Sequence, residues 1–266
     1  MINFNTDSNA SLLQQVQQKQ ETLFERLASG RRVNSAADDS AAQQIIDRLT
    51  SQVEGNRQSI RNAYDGISVA QVAESGLQGI NEDAQRIREL TLQAGNGTLN
   101  DADRRAIQSE ISQLQENISQ TVEQTNFAGR PLLSEDGNID FQVGANAGQQ
   151  IGLQTRDIQS ELEGLLNADV TTSGGIQEAL TAADEALNVI GGARSDLGAT
   201  QNQFESAARN LSQADVNTAA ARSRIQDTDY AQAASENAAA GVLGQSALSV
   251  QAQANQQQGQ VLALLS

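Results

Sequence analysis

A single apolar stripe, held to one rhythm over a long stretch, constrains this chain more than any local motif. Ile46, Leu49, Val53, Asn56, Ile60, Ala63, Ile67 and Ala70 step by three and four. Leu77, Ile80, Ala84, Ile87 and Leu90 resume the rhythm after one irregular step. This spacing sets all of them on one face of an α-helix. Sustained past several heptads, it predicts coiled-coil-like packing against a partner helix. The stretch "AGNG" at 94–97 ends the helix. Asn100 or Asp101 starts another, with Ile107, Ile111, Leu114, Ile118 and Val122 along one side. A fourth follows "TTSGG" at 171–175, with Ile176, Leu180, Ala183, Leu187, Ile190, Leu197, Phe204 and Leu211 as its stripe.

Between these helices the pattern changes period. Ile139, Phe141 and Val143 alternate, "GANAG" turns, and Ile151 and Leu153 alternate again, close to the single proline, Pro131. The spacing predicts a β-hairpin or small β-patch. Hydrophobic residues make up 38% of the chain and aromatics 3%, which is thin for a compact globule. Long helices burying narrow stripes need less. The predicted fold class is therefore mainly α: an elongated helical bundle or coiled coil of N- and C-terminal helices with a small β-hairpin region.

The first helix carries Leu13, Val16, Gln20, Leu23 and Leu27 on one face and stops at Gly30, which suits a left-handed terminating residue. Arg31 and Arg32 follow. Ser35 with Asp38 then resembles a capping box, and Asp38 and Asp39 favour a helix N-terminus there. A helix thus breaks and restarts within a few residues, amid dense charge.

Charge excludes some functions. The formal net charge is −16, from 33 acids against 17 bases, so the basic face that phosphate binding needs is missing and nucleic acid is not an expected partner. One lysine, Lys19, makes no polybasic membrane anchor, and no run of 18 apolar residues predicts membrane insertion. The first thirteen residues lack a basic stretch followed by an apolar core, so the expectation is export by a route without a secretory signal there. Without cysteine or histidine, thiolate and imidazole chemistry and most zinc sites are removed. Asp136, Asn138 and Asp140 begin like a calcium loop, but Ala147 stands where the bidentate glutamate belongs, so a hairpin turn is the better reading. Adjacent carboxylates such as Asp38/Asp39 and Glu82/Asp83 point about 100° apart on a helix and make poor acid–base dyads. No catalytic, cofactor-binding or metal residues emerge, and no enzyme is expected.

The two ends differ from the middle. No charged residue follows Glu236, yet Val242, Leu243, Leu248, Val250, Val261, Leu262, Leu264 and Leu265 are spaced among Ala, Gln, Gly, Ser and Asn. Ser8 to Gln18 is also uncharged. Two such amphipathic ends can bury each other as an antiparallel pair, and further copies can cover the remaining face. The rival readings are a disordered glutamine-rich tail, against which the regular spacing argues, and a bundle whose ends pack within one monomer.

Several segments are more specific. "LASGRRVNSAADDSAAQQIIDRL" (27–49), "NAYDGISVAQVAESGLQGINEDAQRIRELTLQAGNGT" (62–98), "QTNFAGRPLL" (124–133), "LGATQNQFESAARNL" (197–211), "ARSRIQDTDYA" (221–231) and the terminal "QANQQQGQVLALLS" occur in order. Together they resemble bacterial flagellins over nearly the whole chain outside about 134–175. Ala128 stands where the family's "Q-T-x-F-N-G" segment has asparagine. The resemblance implies a structural subunit, short of the variable outer domains, that polymerises into the flagellar filament for swimming motility after type III export. Such a protein is secreted and extracellular. The alternatives are a hook–filament junction protein and a non-flagellar helical signalling module.

By resemblance, residues 1–34 and 227–266 form the inner filament core, and 35–226 form a helical rod with a hairpin at about 134–160. Leu13, Val16, Leu23, Leu27, Leu243, Leu248, Leu262 and Leu265 would pack the inner core. Gly30, Arg31, Arg32, Asp38 and Asp39 would form the core-to-rod connection, with the arginines expected to meet carboxylates such as Asp38, Asp39 or Asp227. Implied partners are other copies of the chain, an export chaperone, the filament cap and the hook–filament junction proteins. Arg86, Leu90 and Glu110 match the surface through which some flagellins contact Toll-like receptor 5.

Overall fold

The computed structural model describes the backbone of residues 6–265 and the side chains of 11–254, 256 and 260. Helix α1 runs Thr6–Ser29, α2 Ser40–Ala94 and α3 Asp101–Gln124. Strands β1 (Asn126–Phe127), β2 (Arg130–Pro131), β3 (Gly137–Gln142) and β4 (Gln150–Thr155) follow. Two short helices, α4 (Ile158–Glu161) and α5 (Glu163–Leu166), precede α6 (Ser173–Gln226) and α7 (Tyr230–Leu265). The chain divides into two compact units, Met1–Val53 with Val216–Ser266, and Glu54–Asp215.

Within the 54–215 unit the apolar stripe becomes a continuous seam. Ala63, Ala70, Ala73, Leu77, Ile80, Ala84, Ile87, Leu90 and Ala94 of α2 are buried together with Ile111, Ile118 and Val122 of α3 and Ile176, Ala183, Ile190, Leu197 and Phe204 of α6. The irregular step in the sequence is filled by Ala73, and five of these nine α2 residues are alanine, which lets the helix axes approach closely. Gly66 is a tight point: a Cβ there would lie 2.5 Å from Cζ of the fully buried Phe204 ring.

The predicted hairpin is present. β3 pairs antiparallel with β4 in the register Ile139↔Leu153 and Phe141↔Ile151. Phe141 meets Phe204 edge-on, centroids 5.3 Å apart at 89°. Asn62 Nδ2 donates to the Gln142 carbonyl at 2.9 Å, holding the strand end on α2. Asp136 does not join a cation loop; its Oδ1 accepts the Asp157 N–H at 3.0 Å, while Asn138 donates to Asp140 at 2.7 Å. Two features absent from the sequence reading complete the unit. β1 and β2 form a ribbon around Ala128 and Gly129, both at positive φ (51° and 80°), the signature of a type I′ turn. The short helices bury Ile158, Leu162 and Leu165, and α3 fixes them: Gln115 donates to the carbonyls of Leu165 (2.9 Å) and Ala168 (3.1 Å).

Helix α3 starts where expected. Asn100 Oδ1 accepts from the Ala102 and Asp103 N–H groups at 2.8 and 3.0 Å, and Asp103 Oδ2 accepts the Asn100 N–H at 3.1 Å, a complete capping box. The start of α2 differs from the sequence reading. Ser35 is not its cap: Asp38 Oδ2 instead closes a turn by accepting the Asn34 and Ser35 N–H groups, each at 3.0 Å. The helix begins five residues later, capped by Asp39, whose Oδ1 accepts the Ala42 N–H at 2.9 Å.

Candidate assembly surface

The other unit carries both chain ends. Helices α1 and α7 run antiparallel: Gly241 faces Gln20 and Gly244 faces Val16, each at 3.5 Å from the position a Cβ would take. The face of α7 turned to α1 is small, with Ala233 and Ala240 buried and Gly241, Gly244 and Ala247 half-buried. On α1, Leu23 is buried, while Leu13, Val16 and Leu27 are half-buried. A cleft of about 240 Å³ persists between Leu13, Val16, Gln20, Gly241, Gly244 and Leu248.

Most large apolar side chains of α7 point elsewhere, and Leu248, at the edge of the cleft, is left largely uncovered. Leu243 is 61% exposed and Leu248 54%, with Val242 and Val250 alike, and Leu12 and Phe24 of α1 are also exposed. No charged residue follows Glu236 to break this surface. Burying one such side chain contributes about 1.5–3 kcal/mol, so the pair is far from saturated on its own. Leu262 and Leu265 lie outside the described side chains.

The connection is built on main chain more than on charge pairs. Gly30 has φ +69°, the left-handed conformation expected of it. Arg31 forms a β-bridge with Asp227. The Arg32 N–H donates to the Gln226 carbonyl at 2.6 Å, and the Thr228 N–H to the Gly30 carbonyl at 3.1 Å. Carboxylate pairing of the arginines is expected within or between subunits; within the chain the Arg32 guanidinium donates to the Ile225 carbonyl at 2.7 Å. The reason is geometric. The last carbonyls of α6 lack intrahelical donors and carry the negative end of the helix dipole, and Arg32 reaches them directly. Beneath this joint Val33, Ala42 and Ile46 are buried with Ile225 against them. Asp38 is held below the usual carboxylate range, first by the Ser35 N–H, then by the Asn34 N–H.

Arg86, Leu90 and Glu110 do not share one fate. Arg86 Nη2 donates to Glu110 Oε1 at 2.8 Å and Nη1 to Glu89 Oε2 at 3.3 Å. The bond to Glu110, then that to Glu89, holds the guanidinium more firmly charged than usual. Leu90 is 2% exposed, inside the α2–α3–α6 core. Its i, i+4 relation to Arg86 places it one turn along, but the seam rhythm turns it inward, so only Arg86 and Glu110 reach solvent.

Known proteins resemble this arrangement closely. Residues 2–138 match the bacterial flagellin N-terminal helical region, and residues 180–265 the bacterial flagellin C-terminal helical region. The flagellin of Halalkalibacterium halodurans is 38% identical over 245 residues, covering 91% of this chain and 90% of that protein. The flagellin of Bacillus subtilis is 36% identical, covering 91% of each. A crystal structure of Bacillus cereus flagellin matches with a TM-score of 0.53 at 26% identity, over 57% of this chain and 88% of that one. A putative flagellar hook-associated protein from Vibrio parahaemolyticus shares the fold, with a TM-score of 0.62 at 15% identity, over 71% of this chain and all of that one. These likenesses define a class, exported structural subunits of helical filaments rather than enzymes. Within that class, the chain belongs to the bacterial flagellin family. It polymerises with its own copies into the extracellular flagellar filament.

Proposed function

We infer that assembly runs through the α1/α7 pair, with residues 1–34 and 227–266 as the inner filament core and 35–226 as the outward rod. One observation carries this reading: α7 sets its small residues against α1 and leaves Leu243, Val242 and Val250 outside, with Leu248 at the cleft's edge still 54% exposed. A helix that covers alanine and exposes leucine is shaped for neighbours beyond its first partner. The Gly30–Asp39 segment then serves as the core-to-rod connection, its bend fixed by Gly30 and by the bonds to residues 225–228.

The same uncovered surface needs protection before assembly and partners at the filament's ends. An export chaperone covering α7, the cap and the hook–filament junction proteins fit that need. Arg86 and Glu110 are the two exposed residues through which Toll-like receptor 5 would engage the rod, with Leu90 supporting them from below. Seeded polymerisation tests the core assignment. A chain lacking 227–266 is expected to keep its helical 54–215 unit and to add no length to seeds. Normal elongation by that chain would overturn the reading.

A further inference from the structure

Asn96–Gly97 is the single Asn-Gly dipeptide of the chain, and it lies in the exposed turn between α2 and α3. The Leu99 N–H closes this turn on the Asn96 carbonyl at 3.1 Å, and the Asn96 N–H donates to the Gln93 carbonyl at 3.0 Å. Asn96 Oδ1 accepts twice from one neighbour, from the Thr98 N–H at 3.1 Å and from Thr98 Oγ1 at 3.0 Å. The Gly97 N–H has no acceptor among the described hydrogen bonds. A Cβ at Gly97 would meet nothing within 4 Å, so the approach is open. An Oδ1 held by both donors of Thr98 keeps the Asn96 side chain turned along the chain on the C-terminal side, toward the residue whose nitrogen would attack Cγ. The two donors face the oxygen that gathers negative charge when that carbon is attacked.

We propose that Asn96 is a site of spontaneous deamidation, activated by this turn. The Gly97 nitrogen attacks Asn96 Cγ and a new N–Cγ bond forms. The Cγ–Nδ2 bond breaks, and Nδ2 leaves as ammonia, taking up through solvent the proton that Gly97 gives up. Water then opens the five-membered imide at either carbonyl, leaving aspartate or isoaspartate. The balance is one water in and one ammonia out, with no change of oxidation state.

Two other asparagines serve as internal controls. Asn100 Oδ1 also accepts two backbone N–H groups, but Asp101 follows it and its side chain blocks the approach. Asn34 precedes Ser35, whose N–H is already given to Asp38 Oδ2 at 3.0 Å. The product also matters locally. A new carboxylate would face the negative end of the α2 dipole, and an isoaspartyl link lengthens the main chain inside the turn that Leu99 closes.

The test incubates the full-length protein at mildly alkaline pH, digests it with trypsin and follows the peptide Glu89–Arg104 by mass spectrometry. Ammonia loss is expected at Asn96 and not at Asn100. Thr98→Ala should slow it about fivefold, the effect of one neutral hydrogen bond, and Gly97→Ala should bring Asn96 down to the Asn100 rate. The wild-type chain unfolded in urea should react more slowly at Asn96 than the folded chain, a comparison independent of any variant. An unreactive Asn96, an unchanged Thr98→Ala rate, or an equal or faster reaction in urea would overturn the proposal.

Discussion

The 54–215 unit and the α1/α7 pair are both helical, yet they place their large side chains in opposite ways. In the 54–215 unit Phe204, Leu77, Ile80, Ile87, Ile111 and Ile118 are fully enclosed, and the alanines of the seam bring the helices close enough to enclose them. In the pair, glycine and alanine of α7 lie against α1, where Leu23 is buried and Val16 half-buried, while Leu243, Val242 and Val250 of α7 stand in solvent. The same small residues therefore do different work. In one place they tighten an enclosed core, and in the other they leave larger side chains of the same helix uncovered. Apolar content alone does not tell these cases apart; the face on which the large residues sit does.

The largest test of this contrast is Phe204→Ala. It empties the ring's site between Gly66 and Phe141 and should cost the 54–215 unit about 3–5 kcal/mol, read from its denaturation midpoint. A small loss would mean that this core is not the enclosed one. Next, Leu243→Ala and Leu248→Ala should leave monomer stability within about 0.5 kcal/mol. Each should weaken polymerisation by about 1.5–3 kcal/mol, seen as a raised critical concentration. If instead the monomer melts earlier and assembly is unchanged, the pair is a private core like its counterpart.

Gly66→Ala sets two effects against each other. Alanine gains about 1 kcal/mol in helix propensity, whereas a methyl pushed into a ring wedged by Phe141 costs about 1–3 kcal/mol. A net loss is expected, and a net gain would show slack at this close approach in the seam. Ala128→Asn should stabilise the β1–β2 ribbon by about 0.5–1 kcal/mol in thermal melts, because asparagine tolerates the left-handed φ that alanine resists.

The smallest effect is acid sensitivity at the connection. Asp38 has a folded pKa below its ordinary 3.8. Its contribution is fully present above that ordinary value and fades as pH falls through the lower, folded one. Amide exchange at Ser35 should accelerate only in that acid window, and Asp38→Asn should remove the pH dependence. An Asp38→Asn chain that keeps the full acid response would assign it to another carboxylate.

Much of this contrast was legible in the residues. The stripe from Ile46 to Leu90, the alternation at Ile139–Leu153 and the uncharged run after Glu236 predict the long helices, the hairpin and an unusual C-terminal surface. What was hidden has physical causes. Glycine carries no hydrophobic signal and alanine only a weak one, so the stripes take in Ala63, Ala70 and Ala84 but not Gly66, Ala73 and Ala179, which are also buried. Ala128 conceals a turn that asparagine would have advertised. Main-chain carbonyls have no letter of their own, so Arg32 was assigned a carboxylate when its partner is the carbonyl of Ile225. Leu90 belongs to the same apolar stripe as Leu77 and Ile87, and it is that stripe, not the i, i+4 relation to Arg86, that sets the side it faces.

The joint at Arg31 and Asp227 also bears on timing. Its bonds join residues separated by as many as 198 positions, from Gly30 to Thr228, whereas the β3–β4 hairpin and the α2–α3 turn close over short spans. Long loops close late, after nearby contacts have reduced the chain's freedom. The joint is therefore the last of these contacts to close, because it waits for nearly the whole chain to be in place.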